Sequence, residues 1–550
     1  MKRIIREKRN LWVVWGLILL LCVNLLSGCG RSKSESAAPE TSAGASIAAE
    51  ANSKGLVNPS EDVYSIDENS GNIRGGETEE GNNSVEADGV SQTDEKKYND
   101  TYFKDYGINP FKDTKNQPMS TFSLDVDTAS YTIARKYINS GSLPPKDSIR
   151  VEEFINYFKR DYPVPAGDTF SIYTEMAPSA FNRGYHILEV GIQGKNVEAA
   201  NIRRTALTFV IDVSGSMDMD NRLTLVKKSL KILVDQMGET DKIGIVVYGT
   251  NGRKLLEPTS GDNKKRILKA IDKLEPEGST NAAEGLMLGY DMAYNAFIND
   301  GNNRIILCTD GVANQGITKA EDILKMVEDY KTKGITLTTL GFGMDNFNDI
   351  FLETLANKGD GNYAYIDSLD EAKKIFIDQL AGTLEVIAKD AKVQIEFDRN
   401  SVESYRLIGY ENRLLKDKDF KNNSVDAGEI GAGHAVTALY EVKLKNSIDE
   451  YLGKVSLRYK NPETNKVTEM NINIKSSLTR DSFYNATPRF RFITMVAQSA
   501  EILKGSPWTS NTSLEDVYEI LKNDIDDLKL SKEDSEFIDL IKSAINLKNR

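Results

Sequence analysis

Cysteine is scarce in this sequence, with Cys22, Cys29 and Cys308 the only three in 550 residues. Cys22 falls in an N-terminal leader and Cys29 stands directly after it, so Cys308 alone is left to the folded part and no disulfide framework is possible. Cys308 sits in an apolar run and reads as a small core hydrophobe. A basic excess is also missing: 69 Lys and Arg stand against 82 Asp and Glu, a formal net charge of −13. Nucleic-acid binding needs a basic face that displaces counterions, and this balance argues against it. No G-x-G-x-x-G or P-loop pattern occurs, so no nucleotide is indicated. The apolar run at 11–26, broken by Gly16 and Asn24, falls short of the ~20 residues a membrane-spanning helix needs.

What is present begins with that leader. Residues 1–10 are basic, the apolar run follows, and small residues close it, the order of a cleaved export signal. Leu26-Ser27-Gly28-Cys29 resembles a bacterial lipobox. The resemblance implies cleavage after residue 28 and a lipid on Cys29. The chain would then be exported and held on the bacterial membrane, facing away from the cytoplasm, with two or more acyl chains giving firm attachment. Residues 29–105 are rich in Ser, Glu, Gly, Asn and Ala and hold too little apolar surface to offset their ordering entropy, so a disordered tether is expected. About 70 such residues have an r.m.s. span of about 45 Å.

The folded part is organised around residues 205–217, TALTFVIDVSGSM. Leu207 to Ile211 form an apolar β-branched and aromatic run, the mark of a strand buried on both faces. It ends in Asp212, Ser214 and Ser216, three oxygen side chains at alternate positions. Leu223, Val226, Leu230, Leu233 and Met237 recur downstream at helical spacing. A strand, an oxygen-rich loop and a helix place those oxygens at the carboxyl edge of a sheet, where open α/β folds bind ligands. A carboxylate with two hydroxyls, and no imidazole or thiolate nearby, suits a hard cation such as Mg²⁺.

This D-x-S-x-S pattern resembles the metal-ion-dependent adhesion site of von Willebrand factor type A (VWA) domains. Two further members of that motif occur in order: Thr280 in Gly278-Ser279-Thr280-Asn281, and Asp310 after the apolar run Ile305-Ile306-Leu307-Cys308-Thr309. The resemblance implies one Mg²⁺ or Mn²⁺, bound directly by Ser214 and Ser216, largely through water by Asp212 and Asp310, and by Thr280 in one of two conformations. An open position would remain for an Asp or Glu carboxylate of a protein partner. Asp220 falls where integrin-like relatives place an acid for an adjacent cation; a solvent-facing loop acid is the plainer reading of it.

The expected fold class is α/β, a doubly wound, mostly parallel sheet. Alternating strand and helix patterns cover residues 201–388. The last of them, 369–384, is a closing helix that partner binding would shift. Residues 106–200 read as an α+β module, and 389–478 alternate apolar and polar residues as antiparallel strands of a β-sandwich. The VWA unit is either inserted into one sandwich or followed by a separate one. Residues 479–550 are helical. Residues 123–131 and the segments at 150–153, 156–158, 405–413 and 426–434 resemble the flanking modules of a bacterial VWA lipoprotein family. Asp125 and Asp127 form a D-x-D pair without the rest of a phosphatase pattern and are expected to cap the next helix. His434, in a Gly-rich turn, is expected to be hydrogen-bonded there.

Two readings of function follow. In the first, the chain is a cell-surface lipoprotein that captures a protein or matrix ligand through its metal. In the second, it is an envelope scaffold in which the metal is structural. No general base accompanies the oxygen cluster, so catalysis is not expected.

Overall fold

The computed structural model of the chain describes residues 101–550 apart from 125–126, 199–202, 312–316, 345–346, 379–384 and 525–528. The signal segment, Cys29, the tether up to residue 100 and Asp125 lie outside the described residues. Residues 101–103, expected in the tether, are packed: the Tyr102 amide donates to the Phe347 carbonyl at 3.0 Å and Phe103 is buried.

The chain opens with strands β1 (Lys112–Asp113), β2 (Met119–Ser123), β3 (Phe170–Pro178) and β4 (His186–Gly194). Helices α1 (Ala129–Asn139) and α2 (Val151–Tyr157) lie between β2 and β3. A central unit follows, with strands β5 (Thr205–Asp212), β6 (Lys242–Tyr248), β7 (Gly252–Ser260), β8 (Asn302–Thr309), β9 (Ile335–Gly341) and β10 (Tyr363–Tyr365). Its helices are α3 (Arg222–Gln236), α4 (Lys264–Asp272), α5 (Ala282–Ala296), α6 (Ala320–Lys331), α7 (Asp349–Lys358) and α8 (Leu369–Lys373).

These strands form one six-stranded sheet in the order β10-β9-β8-β5-β6-β7, parallel except for the edge strand β7. β5 and β8 are buried at every position, as a strand covered by helices on both faces must be, and their inner stretches, 207–211 and 305–308, are nearly all apolar. α3 turns Leu223, Val226, Leu230 and Leu233 onto one face of the sheet. α5 lays Ala282, Leu286 and Tyr290 on the other.

After the central unit come β11 (Val386–Phe397), β12 (Val402–Ile408), β13 (Leu414–Leu415), β14 (Gly428–Gly431), β15 (Ala435–Leu444), β16 (Tyr451–Lys460) and β17 (Val467–Lys475). They complete two sheets begun before it, β1-β12-β15-β4-β3 and β13-β2-β11-β16-β17. β4 pairs with β15 from His186↔Val442 to Gln193↔Ala435, and β2 pairs with β11. The two sheets face each other over a shared core that includes Phe122, Leu188, Val190, Val393, Ile395 and Tyr440. The central unit is therefore inserted between β4 and β11 of a single sandwich.

The chain ends in α9 (Pro488–Lys504), α10 (Leu514–Asp524) and α11 (Lys532–Lys548). Phe492 and Phe537 from this tail pack with Tyr131 of α1 and Phe154 of α2 in one helical layer. No helix among the described residues is long and apolar enough to cross a membrane.

α1 also covers the β10 edge of the central sheet. Ala129 and Ile133 join its core, and Thr132 Oγ1 donates to the Tyr365 carbonyl at 2.9 Å. A covered edge presents no free backbone to other chains. Asp127 does not cap α1. It accepts from the Tyr363 amide and from Arg413, both at 2.9 Å, and the N-cap residue Thr128 makes no side-chain cap bond. The expected closing helix is helical as far as the described residues follow it. α8 passes into a π-helical turn at Lys374–Asp378, and residues 379–384 lie outside the described residues. Lys374 is buried there, its ammonium donating to the Tyr157 carbonyl at 2.7 Å, and burial lowers its pKa to about 8.

Candidate metal centre

β5 and β8 run side by side with Ile211 opposite Cys308, so their ends bring Asp212 and Thr309 together. Thr309 Oγ1 donates to Asp212 Oδ2 at 2.8 Å, and the Ser214 amide donates to Asp212 Oδ1 at 2.8 Å. Both carboxylate oxygens are thereby fixed. Ser214 Oγ and Ser216 Oγ lie 3.0 Å apart, close enough to share one ion or one proton. Asp212 is fully buried, Ser214 nearly so, and Ser216 partly exposed.

The Thr280 loop is held against this first loop by its backbone. The Gly215 amide donates to the Gly278 carbonyl at 3.0 Å, and the Asn281 amide to the Gly249 carbonyl at 3.0 Å. Gly278 has φ +68°, and a Cβ there would sit 2.0 Å from Thr250 Oγ1, so only glycine fits the approach. Thr280 is 1 % exposed and directly precedes Asn281, whose side chain caps α5 by accepting from the Glu284 amide. Asp310 follows β8 and is fully buried. Asp220 is exposed, in a left-handed turn with Asn221 (φ 49° and 58°).

Charge is concentrated here. Burial, reinforced by the charge of Asp310, pushes the Asp212 carboxyl up to about 7. Tyr248 lies buried nearby, its phenol driven well above the ordinary range by burial and by Asp212. Two desolvated carboxylates beside paired hydroxyls make an all-oxygen donor set that suits a hard dication and offers nothing to a soft one. The residues present fit the group their pattern implies.

One member of the centre was not expected. Arg222, the first residue of α3, turns inward with its side chain 1 % exposed. Its Nη1 donates to Asp310 Oδ2 at 2.8 Å and to the Ser216 carbonyl at 3.3 Å. The available signal was spacing: 222 lies four residues before Val226, on the buried stripe of α3. A second acidic group, Asp360, Asp426 and Glu429, has carboxylate oxygens within 4.8 Å of one another. It stands where β10 begins, at the end of the parallel sheet opposite Asp212, and is separate from the centre described here. His434 is hydrogen-bonded in its turn through the backbone, its amide donating to the Gly431 carbonyl at 3.3 Å and its carbonyl accepting from the Gly194 amide at 2.8 Å, while neither ring nitrogen has a partner among the described residues.

Comparison with known proteins matches three models. The von Willebrand factor type A domain matches residues 206–378, a von Willebrand factor model 97–189, and the C-terminal region of the uncharacterized protein YfbK 382–451 and 445–547. The chain is 39% identical over 443 residues to YfbK of Escherichia coli (strain K12), covering 76% of each protein. It is 27% identical over 284 residues to human inter-alpha-trypsin inhibitor heavy chain H3, covering 48% of this chain and 30% of that one. Among solved structures it is similar to a von Willebrand factor type A protein from Catenulispora acidiphila, at 14% identity and TM-score 0.38, covering 63% of this chain and 81% of that one. A likeness of that size carries no functional weight.

Proposed function

The chain belongs to the von Willebrand factor type A domain family that includes YfbK, and from that membership we propose that it captures a carboxylate-bearing protein or matrix ligand through a divalent cation. VWA domains are interaction and adhesion modules, so binding rather than catalysis is the premise. The observation that carries the metal-dependent form is the Ser214–Ser216 hydroxyl pair, 3.0 Å apart beside the fully buried Asp212. The two hydroxyls would hold Mg²⁺ or Mn²⁺ directly. Asp212, pinned by Thr309 and the Ser214 amide, and Asp310 would orient the waters around it, and Thr280 would supply a further hydroxyl. The ion would supply Lewis acidity at a position left open to the partner's Asp or Glu.

Lipid on Cys29 would place this site outside the cytoplasm, at the end of a tether. The covered β10 edge and the insertion into one sandwich favour a rigid mount on which ligand-driven movement of α8 would be felt in β11.

A pull-down of partners with Mg²⁺ or EDTA, using wild type and Asp212→Ala, tests the reading. Capture that needs Mg²⁺ and is lost in the variant supports it. Capture indifferent to both favours an envelope scaffold whose metal is structural.

A further inference from the structure

We infer that Arg222 is a built-in counter-cation of the metal centre, competing with a bound dication for the negative charge of Asp310; this rests on the metal reading above. The guanidinium has been placed at a cost. Burying it is strongly unfavourable unless its charge is met, and it lies on a helix stripe otherwise taken by Leu223, Val226, Leu230 and Leu233. Asp310, one of the two acids assigned to the metal, meets that charge at 2.8 Å.

The surroundings reserve the position. A Cβ on Gly343 would fall 2.1 Å from Arg222 Nε, and Gly343 has φ +81°, so the backbone there gives up a side chain to leave room for the guanidinium. Arg222 also holds the Ser216 carbonyl, at 3.3 Å. One cation therefore joins the D-x-S-x-S loop to the Asp310 loop.

Two consequences follow from Coulomb's law. The guanidinium offsets one negative charge of the carboxylate pair that faces an incoming dication, which weakens its binding. Asp310 Oδ2 is engaged by the guanidinium, so Asp310 acts on the ion through water or its other oxygen while that bond lasts. A weakly held, exchangeable ion is the outcome, with occupancy that follows the surrounding concentration.

The test is a Mn²⁺ titration of EDTA-stripped protein by calorimetry. It compares wild type with Arg222→Met, Arg222→Gln and Arg222→Lys, and uses Asp212→Ala to identify uptake at this centre. The neutral variants are expected to bind Mn²⁺ about tenfold tighter or more, a difference of about 1.4 kcal/mol, while the charge-retaining Lys variant stays within about threefold of wild type. Without metal, Arg222→Met should melt lower than wild type, and Mn²⁺ should restore it. Arg222→Gln keeps an amide for the Ser216 carbonyl and serves if the Met variant fails to fold. Neutral variants that bind no tighter than a Mn²⁺-binding wild type overturn the inference and leave the metal reading intact. Uptake by the neutral variants alone upholds it and defeats metal-dependent capture by the native chain. Uptake by none of them overturns both.

Discussion

Arg150 Nη1 donates to Asp349 Oδ2 at 2.6 Å with both side chains buried, joining the residue before α2 to the first residue of α7. This pair crosses from the flanking helical layer into the central unit. Arg150 also pairs with Glu153, and Asp349 Oδ1 accepts from the Tyr363 hydroxyl at 2.7 Å. Removing Asp349 leaves a guanidinium and a phenol buried without that acceptor. Asp349→Ala is expected to lower the unfolding free energy by about 3–5 kcal/mol, the usual effect of breaking one side of a buried pair. Urea denaturation followed by tryptophan fluorescence and circular dichroism measures it. A loss below about 1 kcal/mol would show that the pair does not bind the two parts together.

A dication bound by the folded protein and not by the unfolded chain must stabilise it by mass action, by about 2.7 kcal/mol at a hundredfold excess over the dissociation constant. Mg²⁺ should raise the melting temperature of wild type, while Ser214→Ala and Asp212→Ala should lose the increment. Asp220→Ala should keep it, because Asp220 is exposed on a left-handed turn outside the hydroxyl pair. An Asp220 variant that also loses the Mg²⁺ increment would move a ligand into that turn.

Much of the fold could be read because its strands are extreme in composition. β5 and β8, buried at every position, allowed one interpretation, and the alternating strands from Val393 onward showed their period. β7 escaped because GRKLLEPTS is a half-exposed edge strand carrying Lys254, Glu257 and Pro258, with no unbroken apolar stretch. The sharing of a sheet by β4 and β15 was one of the two arrangements left open, for another reason. Pairing across more than 200 residues leaves no local pattern, so the insertion could be entertained from sequence but not decided. At the site, the pattern supplied the hydroxyls and acids, while Arg222 was passed over because a helix-start arginine ordinarily faces water. Asp127 was misassigned on the same footing. A residue just before a helix invites a capping role, and its partners Tyr363 and Arg413 lie more than 200 residues away.

His434 gives a pH prediction with a definite sign. Burial, with the positive charge of Arg304 added, lowers its imidazole pKa to about 4. The folded state therefore stays neutral there while the unfolded chain takes up a proton below about 6.5. Its contribution to stability is full above pH 6.5 and is lost as the pH falls through 4. Only one other histidine, His186, is present, and burial lowers it as well. Proton NMR should follow both rings, with His434 still neutral at pH 5. His434→Leu should flatten the loss of melting temperature between pH 6.5 and 4.5 relative to wild type. Titration of His434 near 6.5 would contradict the burial of its ring.

Gly278 is where backbone geometry and ligand placement meet. Its carbonyl accepts from the Gly215 amide at 3.0 Å, so it fixes the distance between the loop of Ser214 and Ser216 and the loop of Thr280. Alanine there would need a positive φ and would bring a Cβ within 2.0 Å of Thr250 Oγ1 and 3.0 Å of the Thr250 backbone nitrogen. Shortening Thr250 relieves only the first clash. Gly278→Ala is therefore expected to cost about 1–3 kcal/mol of stability and to weaken Mn²⁺ binding. Adding Thr250→Ala should recover part of the stability and little of the binding, since the loop stays displaced. If the double variant binds Mn²⁺ as wild type does, Thr280 is not held in place by this glycine and contributes to the centre by some other support.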